Sequence, residues 1–500
     1  MGEKCVLLVY AGPRTSLPKI PMSVVVLASY LREHGFAARI LDTRVESYED
    51  LDLQDVFCVG ISSMSGLQLK HSLEVARAIR HADPSLPLIW GGVHPSFFPE
   101  QTARSKYVDV VVRGEGEESL LEVVRAIESG GSLERACPEL VEGIKGITYS
   151  MDGRTVSNSD REFMDLDRLP LPAYDLLALD KYADLLDSFS YESSRGCPFR
   201  CKFCYNQNFH KRRWRAKSTA KVLNELETII SRYHPGKILF VEDLFPVSRR
   251  RTLEIGRGMI ERELGVRWTS YYRADQLSRY SDDDVALLSE SGCDELSIGV
   301  ESGSPRTLKI IGKDITPEQV IVSVRKCLKY DIMPVMSFII GFPLETPEDM
   351  YQTLDFYDQL MALGDKVEIN GLFVYSPYPG TPMYELAVEH GYQPFDSLEG
   401  WSEWNFDDLA NTPWCEGKYR EQLDAISTIA RFRYFRHRLG LYPSQLRRGR
   451  LASGLNRFLY ILAGPVFGWL ADFRWKHRFF SFPWEWKLWR KVVEQRFKVR

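Results

Sequence analysis

The sequence predicts an α/β fold in three stretches: a doubly wound parallel sheet near the N-terminus, an incomplete β/α barrel, and a mainly helical, basic C-terminal region. Three observations predict it. Short apolar runs of strand length alternate with longer helix-like stretches through residues 1–140. The same rhythm restarts near residue 186, after a stretch broken by proline and glycine. It is lost from Pro394 onward, and beyond residue 430 the chain turns basic and aromatic. The expected domains are therefore 1–140, a linker with a hairpin over 141–185, a second β/α domain over 186–390, and a C-terminal region over 391–500.

The 500 residues exceed one ordinary core, and 44% apolar with 26% charged residues is the composition of a folded soluble protein. The net charge of -4 hides an asymmetry. Residues 431–500 hold 17 Lys and Arg against 3 Asp and Glu, a net of +14, so residues 1–430 carry -18. Met1 to Tyr10 reads as a core strand rather than a signal peptide, and the nine cysteines show no disulfide framework. The expected location is the cytoplasm.

In the first domain the strands are Lys4–Tyr10, Ala38–Asp42, Asp55–Ile61, Pro87–Gly91 and Val108–Val112. Helices fall at Met22–His34, ended by Gly35, at Leu67–His81, and from about Glu117. That alternation makes a Rossmann-like sheet, whose ligands sit beyond the carboxyl ends of the strands. The loops there are rich in small residues: Ala11-Gly12-Pro13, Ser62-Ser63-Met64-Ser65-Gly66, Gly91-Gly92-Val93-His94-Pro95 and Arg113-Gly114-Glu115-Gly116-Glu117. Small residues at several strand ends admit a large flat ligand, although each loop by itself is an ordinary turn.

Gly146–Tyr149 and Thr155–Ser157 flank a hairpin turn, and Leu169-Pro170-Leu171-Pro172 breaks regular structure. The second series has strands at Ser188–Ser194, Lys237–Glu242, Val266–Tyr272, Glu295–Val300, Met333–Ile340 and Val367–Val374. Thr219–Tyr233, Pro317–Tyr330 and Pro347–Leu363 are helical between them. Six units fall short of the eight of a closed barrel.

Ser194-Arg195-Gly196-Cys197-Pro198-Phe199-Arg200-Cys201-Lys202-Phe203-Cys204 places three cysteines in one C-x3-C-x2-C loop. Three adjacent thiolates suit three corners of an iron-sulfur cluster and leave its fourth iron open. Zinc is the rival, with His210 completing a Cys3His set.

On these residues the chain resembles the radical S-adenosylmethionine (SAM) enzymes. The resemblance implies a [4Fe-4S] cluster on Cys197, Cys201 and Cys204, SAM chelated at the open iron, and a six-stranded partial (β/α)6 TIM barrel. The four loops of the first domain resemble, in their order, the cobalamin-binding domain found in front of many such enzymes. That likeness implies cobalamin contacts from Ser62, Ser63, Gly91, Gly92, His94, Gly114, Glu115 and Glu117. The loop after the first strand, Tyr10-Ala11-Gly12-Pro13-Arg14-Thr15, lacks the histidine of a D-x-H-x-x-G loop, so the lower cobalt face is expected without a histidine ligand. His94 is then a loop-shaping or propionamide-contacting residue.

The resemblance also implies a SAM site drawn from Phe203, Glu242, Arg273, Glu301, Ser302 and Gly341. Arg273 would pair with the SAM carboxylate, because its fork matches two oxygens. Glu301 would lie near the ribose or amine, and Phe203 and the Gly341 turn would pack on adenine. The plain alternative is that Arg273 and Glu301 form a barrel-rim ion pair. Phe373 to Thr381 matches the end of the subfamily's barrel, and its tyrosines suit a substrate surface.

Trp401, Trp404 and Trp414 suggest a lid, and Lys418–Arg436 is helical. Phe458–Ala471 is apolar but too short to span a membrane, which takes roughly 20 residues. The aromatic residues from Trp469 to Trp489, interleaved with Arg and Lys, suit a membrane interface or greasy substrate, or a structural cap; nucleic acid ranks behind.

The expected activity is reductive cleavage of SAM to methionine and a 5′-deoxyadenosyl radical, with cobalamin passing a methyl group to an unactivated carbon of a hydrophobic substrate (a lipid, terpenoid or tetrapyrrole). An external one-electron reductant such as flavodoxin or ferredoxin is implied. The alternatives are cyclisation or rearrangement without methyl transfer, as in anaerobic tetrapyrrole ring formation, and, more distantly, a zinc-stabilised nucleic-acid-binding protein.

Overall fold

The structure, a computed structural model, describes residues 4–14, 18–49, 51–130, 143–151, 153–182, 189–405, 411–441, 468–481 and 484. Most of the expected Phe458–Ala471 segment lies outside them, as do Trp486 and Trp489. The chain divides into two compact units. The first holds residues 1–268 with 378–384 and 393–406, and the second holds 269–377, 385–392 and 407–500.

The first unit is built on a seven-stranded sheet, in the order β2-β1-β3-β4-β5-β6-β7. The strands are β1 (Cys5–Tyr10), β2 (Ala37–Asp42), β3 (Val56–Ser62), β4 (Leu88–Gly91), β5 (Val110–Val112), β6 (Ile147–Met151) and β7 (Arg154–Ser157). The first five are parallel. β1 reads Cys-Val-Leu-Leu-Val-Tyr without alternation because both of its faces are covered, and all but Tyr10 are buried. The helices α1 (Met22–Glu33), α2 (Leu67–Ala82), the short α3 (Val93–Phe97) and α4 (Glu117–Gly130) alternate with these strands.

The hairpin expected within a linker does more than connect. β6 pairs antiparallel with β5, and β7 with β6, so the hairpin extends the sheet. It covers the edge that β5 would otherwise leave unpaired.

The first unit also carries the start of the second strand series. The expected strand Ser188–Ser194 is split: β8 (Phe189–Tyr191) pairs parallel with β11 (Lys237–Phe240), while β9 (Ser194–Arg195) forms an antiparallel pair with β10 (Arg215–Ala216). The break falls at Glu192 and Ser193, whose side chains are drawn to Arg195 and Glu242. The cysteine loop therefore hangs between β9 and β10. Helices α5 (Thr219–Tyr233) and α6 (Arg249–Glu261) follow, α5 capped by Ser218 accepting from Lys221 N at 3.3 Å.

The division between the units falls within β12 (Arg267–Tyr272). The second unit continues with β13 (Cys293–Glu301), β14 (Met333–Ile340) and β15 (Glu368–Val374), in the order β15-β14-β13-β12. β13, β14 and β15 are parallel. Its helices α7 (Pro317–Lys329) and α8 (Pro347–Met361) start alike, with Pro at the first helical position and a reciprocal capping box: Thr316 with Gln319, and Thr346 with Asp349. The last helix, α9 (Gly417–Leu441), packs along β15. Among the described residues no helix is long and apolar enough to cross a membrane.

Candidate functional site

A cavity of about 330 Å³ opens in the first unit, at the carboxyl ends of its parallel strands. Ser62, Ser63, Gly91, Gly92, Gly114, Glu115 and Glu117 line it, seven of the eight positions the loops pointed to. Apolar side chains of β1, α1 and β4 supply the rest of the wall on that side, among them Leu8, Met22, Leu27 and Ile89. The remaining wall comes from the cysteine loop and the end of β11: Glu192, Arg195, Tyr205, His210, Glu242 and Asp243.

The small residues are needed there. Gly92 holds φ +99°, and a Cβ on it would stand 2.5 Å from the Ser63 carbonyl oxygen. Ser63 N donates to the Gly91 carbonyl at 2.9 Å, which knits the two loops into one floor. The Ser63 hydroxyl is buried at the cavity wall with no hydrogen-bond partner. A buried polar atom beside a small-residue floor is what a large ligand edged with amides needs. These residues fit cobalamin.

His94 takes the loop-shaping role. It is fully buried off the cavity, with Nδ1 bonded to Ser65 Oγ at 2.8 Å and its ring edge-on to Trp401. Burial pushes its imidazole down to about 3, so it stays neutral. Trp401 is not a lid. It is buried in the first unit, stacked on Phe98 and packed on Phe395.

Cys197, Cys201 and Cys204 lie in one loop without disulfide bonds, and Cys204 N bonds the Cys201 carbonyl at 3.1 Å. Burial pushes the Cys204 thiol up to about 12, so a thiolate there calls for a bound metal. Phe203 is half-buried in the same loop. His210, the fourth ligand of a zinc site, turns its ring nitrogens toward two carboxylates, Glu115 at 3.5 Å and Asp243 at 3.7 Å. The donor set that remains is three thiols, which suits a cluster with one open iron.

Glu115 and Glu117 reach toward the cysteine loop. Arg195 Nη2 lies 2.7 Å from Glu117 and Arg195 Nε donates to Glu192 at 2.8 Å, while Arg215 bonds Glu115. Burial would raise the Glu115 carboxyl, but His210, Arg195 and Arg215 outweigh it and hold the group down at about 2. Glu242 is the opposite case. Burial pushes it up to about 7 despite the hydrogen bond from Ser193.

The remaining predicted positions lie in the second unit, at strand ends. Arg273 is buried just after β12 and donates to Asp275 at 2.9 Å and to the Lys313 carbonyl. Glu301 closes β13 with φ +66°, a left-handed conformation that a non-glycine residue adopts at a cost. Its carboxylate accepts from Lys313 Nζ at 2.7 Å, so a lysine, rather than the Arg273 weighed from the sequence, is the cation that faces it. Ser302 is bonded to Thr353 of α8 at 2.8 Å. Gly341 ends β14 with φ +80°. Its N–H donates to the Glu345 carboxylate, and its carbonyl accepts from Trp414 Nε1 at 3.0 Å.

Residues 191–357 match the radical SAM superfamily, and residues 17–124 match the B12 binding domain. An uncharacterized methyltransferase of Pyrococcus horikoshii is 32% identical over 377 residues, 74% of this chain and 78% of that protein. The chain belongs to the radical SAM enzymes with a B12-binding domain. This radical SAM enzyme is also 26% identical to an anaerobic magnesium-protoporphyrin IX monomethyl ester cyclase of Rubrivivax gelatinosus, over 70% of this chain and 67% of that protein. A solved structure of the radical SAM methyltransferase TsrM of Kitasatospora setae, with cobalamin and a [4Fe-4S] cluster bound, shares its fold at a TM-score of 0.62 and 20% identity, covering 78% of this chain and 76% of that one. The two family matches make SAM and cobalamin cofactors of this radical SAM enzyme.

Sequence reasoning missed Arg195, Arg215, Lys313 and Glu345. Arg195 adjoins the cysteine motif, which was a usable signal. Arg215 and Lys313 carry no local pattern. Glu345 stands four residues after Gly341, where only the folded turn shows its role.

Proposed function

We propose that this enzyme transfers a methyl group to an unactivated carbon of a hydrophobic small molecule. The observation that carries the reading is the cavity of the first unit, which the cobalamin-side loops and the cysteine loop line together. A cluster held by Cys197, Cys201 and Cys204 would supply the electron that cleaves SAM, and cobalamin held by the loops of the first sheet would supply the methyl group.

The chain's own residues hold and shield these groups. Cys197, Cys201 and Cys204 are the cluster ligands. Ser62, Ser63, Gly91, Gly92 and Gly114 form the cobalamin floor, and Ser63 Oγ offers a hydrogen bond. In the second unit, Arg273 receives the SAM carboxylate, Glu301 faces the amine or ribose, and the Gly341 turn accepts adenine. Glu242, its carboxyl raised by burial to about 7, can take up or release a proton at the cavity wall near neutral pH. The electron comes from an external reductant of the flavodoxin or ferredoxin class.

The C-terminal region supports a hydrophobic substrate and a place at the inner membrane surface. Helical residues 468–476 are anchored inward by Trp475, whose Nε1 donates to Asp358 at 2.7 Å. Trp469 and Phe473 stay exposed on the outer side, in a segment of net +14 that suits anionic lipid. A cyclisation reading is favoured by one observation, the likeness to the tetrapyrrole ester cyclase.

The test is anaerobic reconstitution with iron, sulfide and hydroxocobalamin, then incubation of hydrophobic extracts with methyl-labelled SAM. A product heavier by the labelled methyl group supports the proposal. A product changed in mass without label would replace it with cyclisation.

A further inference from the structure

The cysteine loop is braced at both ends by two carboxylates. At its start, Gly196 N donates to Asp243 Oδ2 at 3.0 Å, and Arg195 is clasped by Glu117, Glu192 and Glu115. Just past its last cysteine, Tyr205 OH donates to Asp243 Oδ1 at 2.8 Å, and His210 sits between Asp243 and Glu115. Asp243 belongs to the end of β11. Glu115 belongs to the other side of the cavity, on the turn between β5 and α4.

Glu115 therefore has two duties. Its backbone lies in the Gly114–Glu117 turn that lines the cobalamin side of the cavity. Its carboxylate meets Arg215, Arg195 and His210, all outside the first sheet. The side chains of Glu115 and Arg195 are each only 10% exposed. Charges so little screened by water interact strongly, and moving one re-sorts the others.

We propose that Glu115 is a positioning residue that couples cobalamin occupancy to the setting of the cluster loop. A ligand seated on the turn biases the Glu115 carboxylate, and through Arg195 it biases the strand that leads into Cys197. Coupling is reciprocal, so an assembled cluster must favour cobalamin binding by the same factor. Couplings of this kind are about 5- to 150-fold in affinity. The proposal rests on cobalamin occupying this cavity, and it holds whether the enzyme methylates or cyclises its substrate.

Two measurements test it without turnover. The first is hydroxocobalamin affinity, read from the visible spectrum, with and without the reconstituted cluster. The second is the electron paramagnetic resonance spectrum of the reduced cluster, with and without cobalamin. In the native protein, cluster assembly should tighten cobalamin at least about fivefold, and cobalamin should shift the cluster signal. In Glu115→Gln cobalamin affinity should no longer depend on the cluster, nor the cluster signal on cobalamin. Arg215→Lys keeps the charge but loses the fork, and should weaken both effects; it also serves if Glu115→Gln does not fold. The proposal is overturned if the native protein shows neither effect, or if a folded variant keeps both. It is equally overturned if Glu115→Gln stays folded but binds no cobalamin, since Glu115 would then be a direct ligand contact.

Discussion

Lys313 Nζ donates to Glu301 Oε1 at 2.7 Å, and Glu301 accepts it from a left-handed backbone conformation. Both side chains are 8% exposed. A strained carboxylate at a strand end, paired by a buried lysine, is held in place at a cost to stability, as functional groups often are. Removing one partner strands a buried charge, so Lys313→Met should cost about 3–5 kcal/mol. Lys313→Met with Glu301→Leu should recover most of that loss in thermal melts. The double variant should still fail to form 5′-deoxyadenosine, which separates the role of Glu301 in SAM binding from its role in folding.

The floor of the cavity should tolerate no side chain at Gly92. In Gly92→Ala the new Cβ meets the Ser63 carbonyl, and alanine must adopt φ +99°. The strain, about 1–3 kcal/mol, falls on the loop that holds the ligand. Cobalamin affinity should drop at least about tenfold, measured by spectral titration, while iron content stays that of the native protein.

Cys201→Ala should give the reverse pattern. Iron and acid-labile sulfide should be lost after reconstitution, and cobalamin should still be retained, though more weakly if Glu115 couples the two sites. Zinc uptake by the native protein in place of iron would contradict the cluster assignment.

Two buried glutamates set a pH dependence. Burial pushes Glu345 and Glu242 each up to about 7, from an ordinary value near 4.5. The folded state thus binds protons more tightly than the unfolded state. Their protonated forms favour folding fully below about pH 4.5, and that advantage is lost as pH rises toward 7. Each contributes on the order of 3 kcal/mol to this slope. Glu345→Gln keeps an acceptor for Gly341 N and Tyr419 while removing the ionisation. Melting temperatures between pH 5 and about 8 should show a flatter slope for Glu345→Gln than for the native chain.

Much of this was legible in the sequence. The strand-helix alternation gave the parallel order, and the cysteine spacing with the glycine-rich loops named both ends of the cavity. Local pattern could not say what Glu115 and Glu117 touch. They sit among glycines in a loop that suggests ligand contact, yet their charge is answered by Arg195 and Arg215, about 80 to 100 positions away in the chain. His94 reads as loop-shaping or propionamide-contacting, and the fold favours the first. Its neighbours Gly91 and Gly92 line the cavity, but α3 turns its ring inward to Ser65. The hairpin of β6 and β7 read as a linker because its pairing with β5 depends on an open sheet edge, which no local signal reveals.

The proposed methyl transfer, with SAM as the source of the cobalamin methyl group as well as of the radical, is tested by the fate of SAM itself. The reconstituted, reduced protein would be incubated with SAM, with and without bound cobalamin, and its products separated. S-adenosylhomocysteine is expected only when cobalamin is bound, and 5′-deoxyadenosine in addition once substrate is present. 5′-Deoxyadenosine without any S-adenosylhomocysteine, in protein that holds both cobalt and iron, would contradict methyl transfer and leave a radical cyclase.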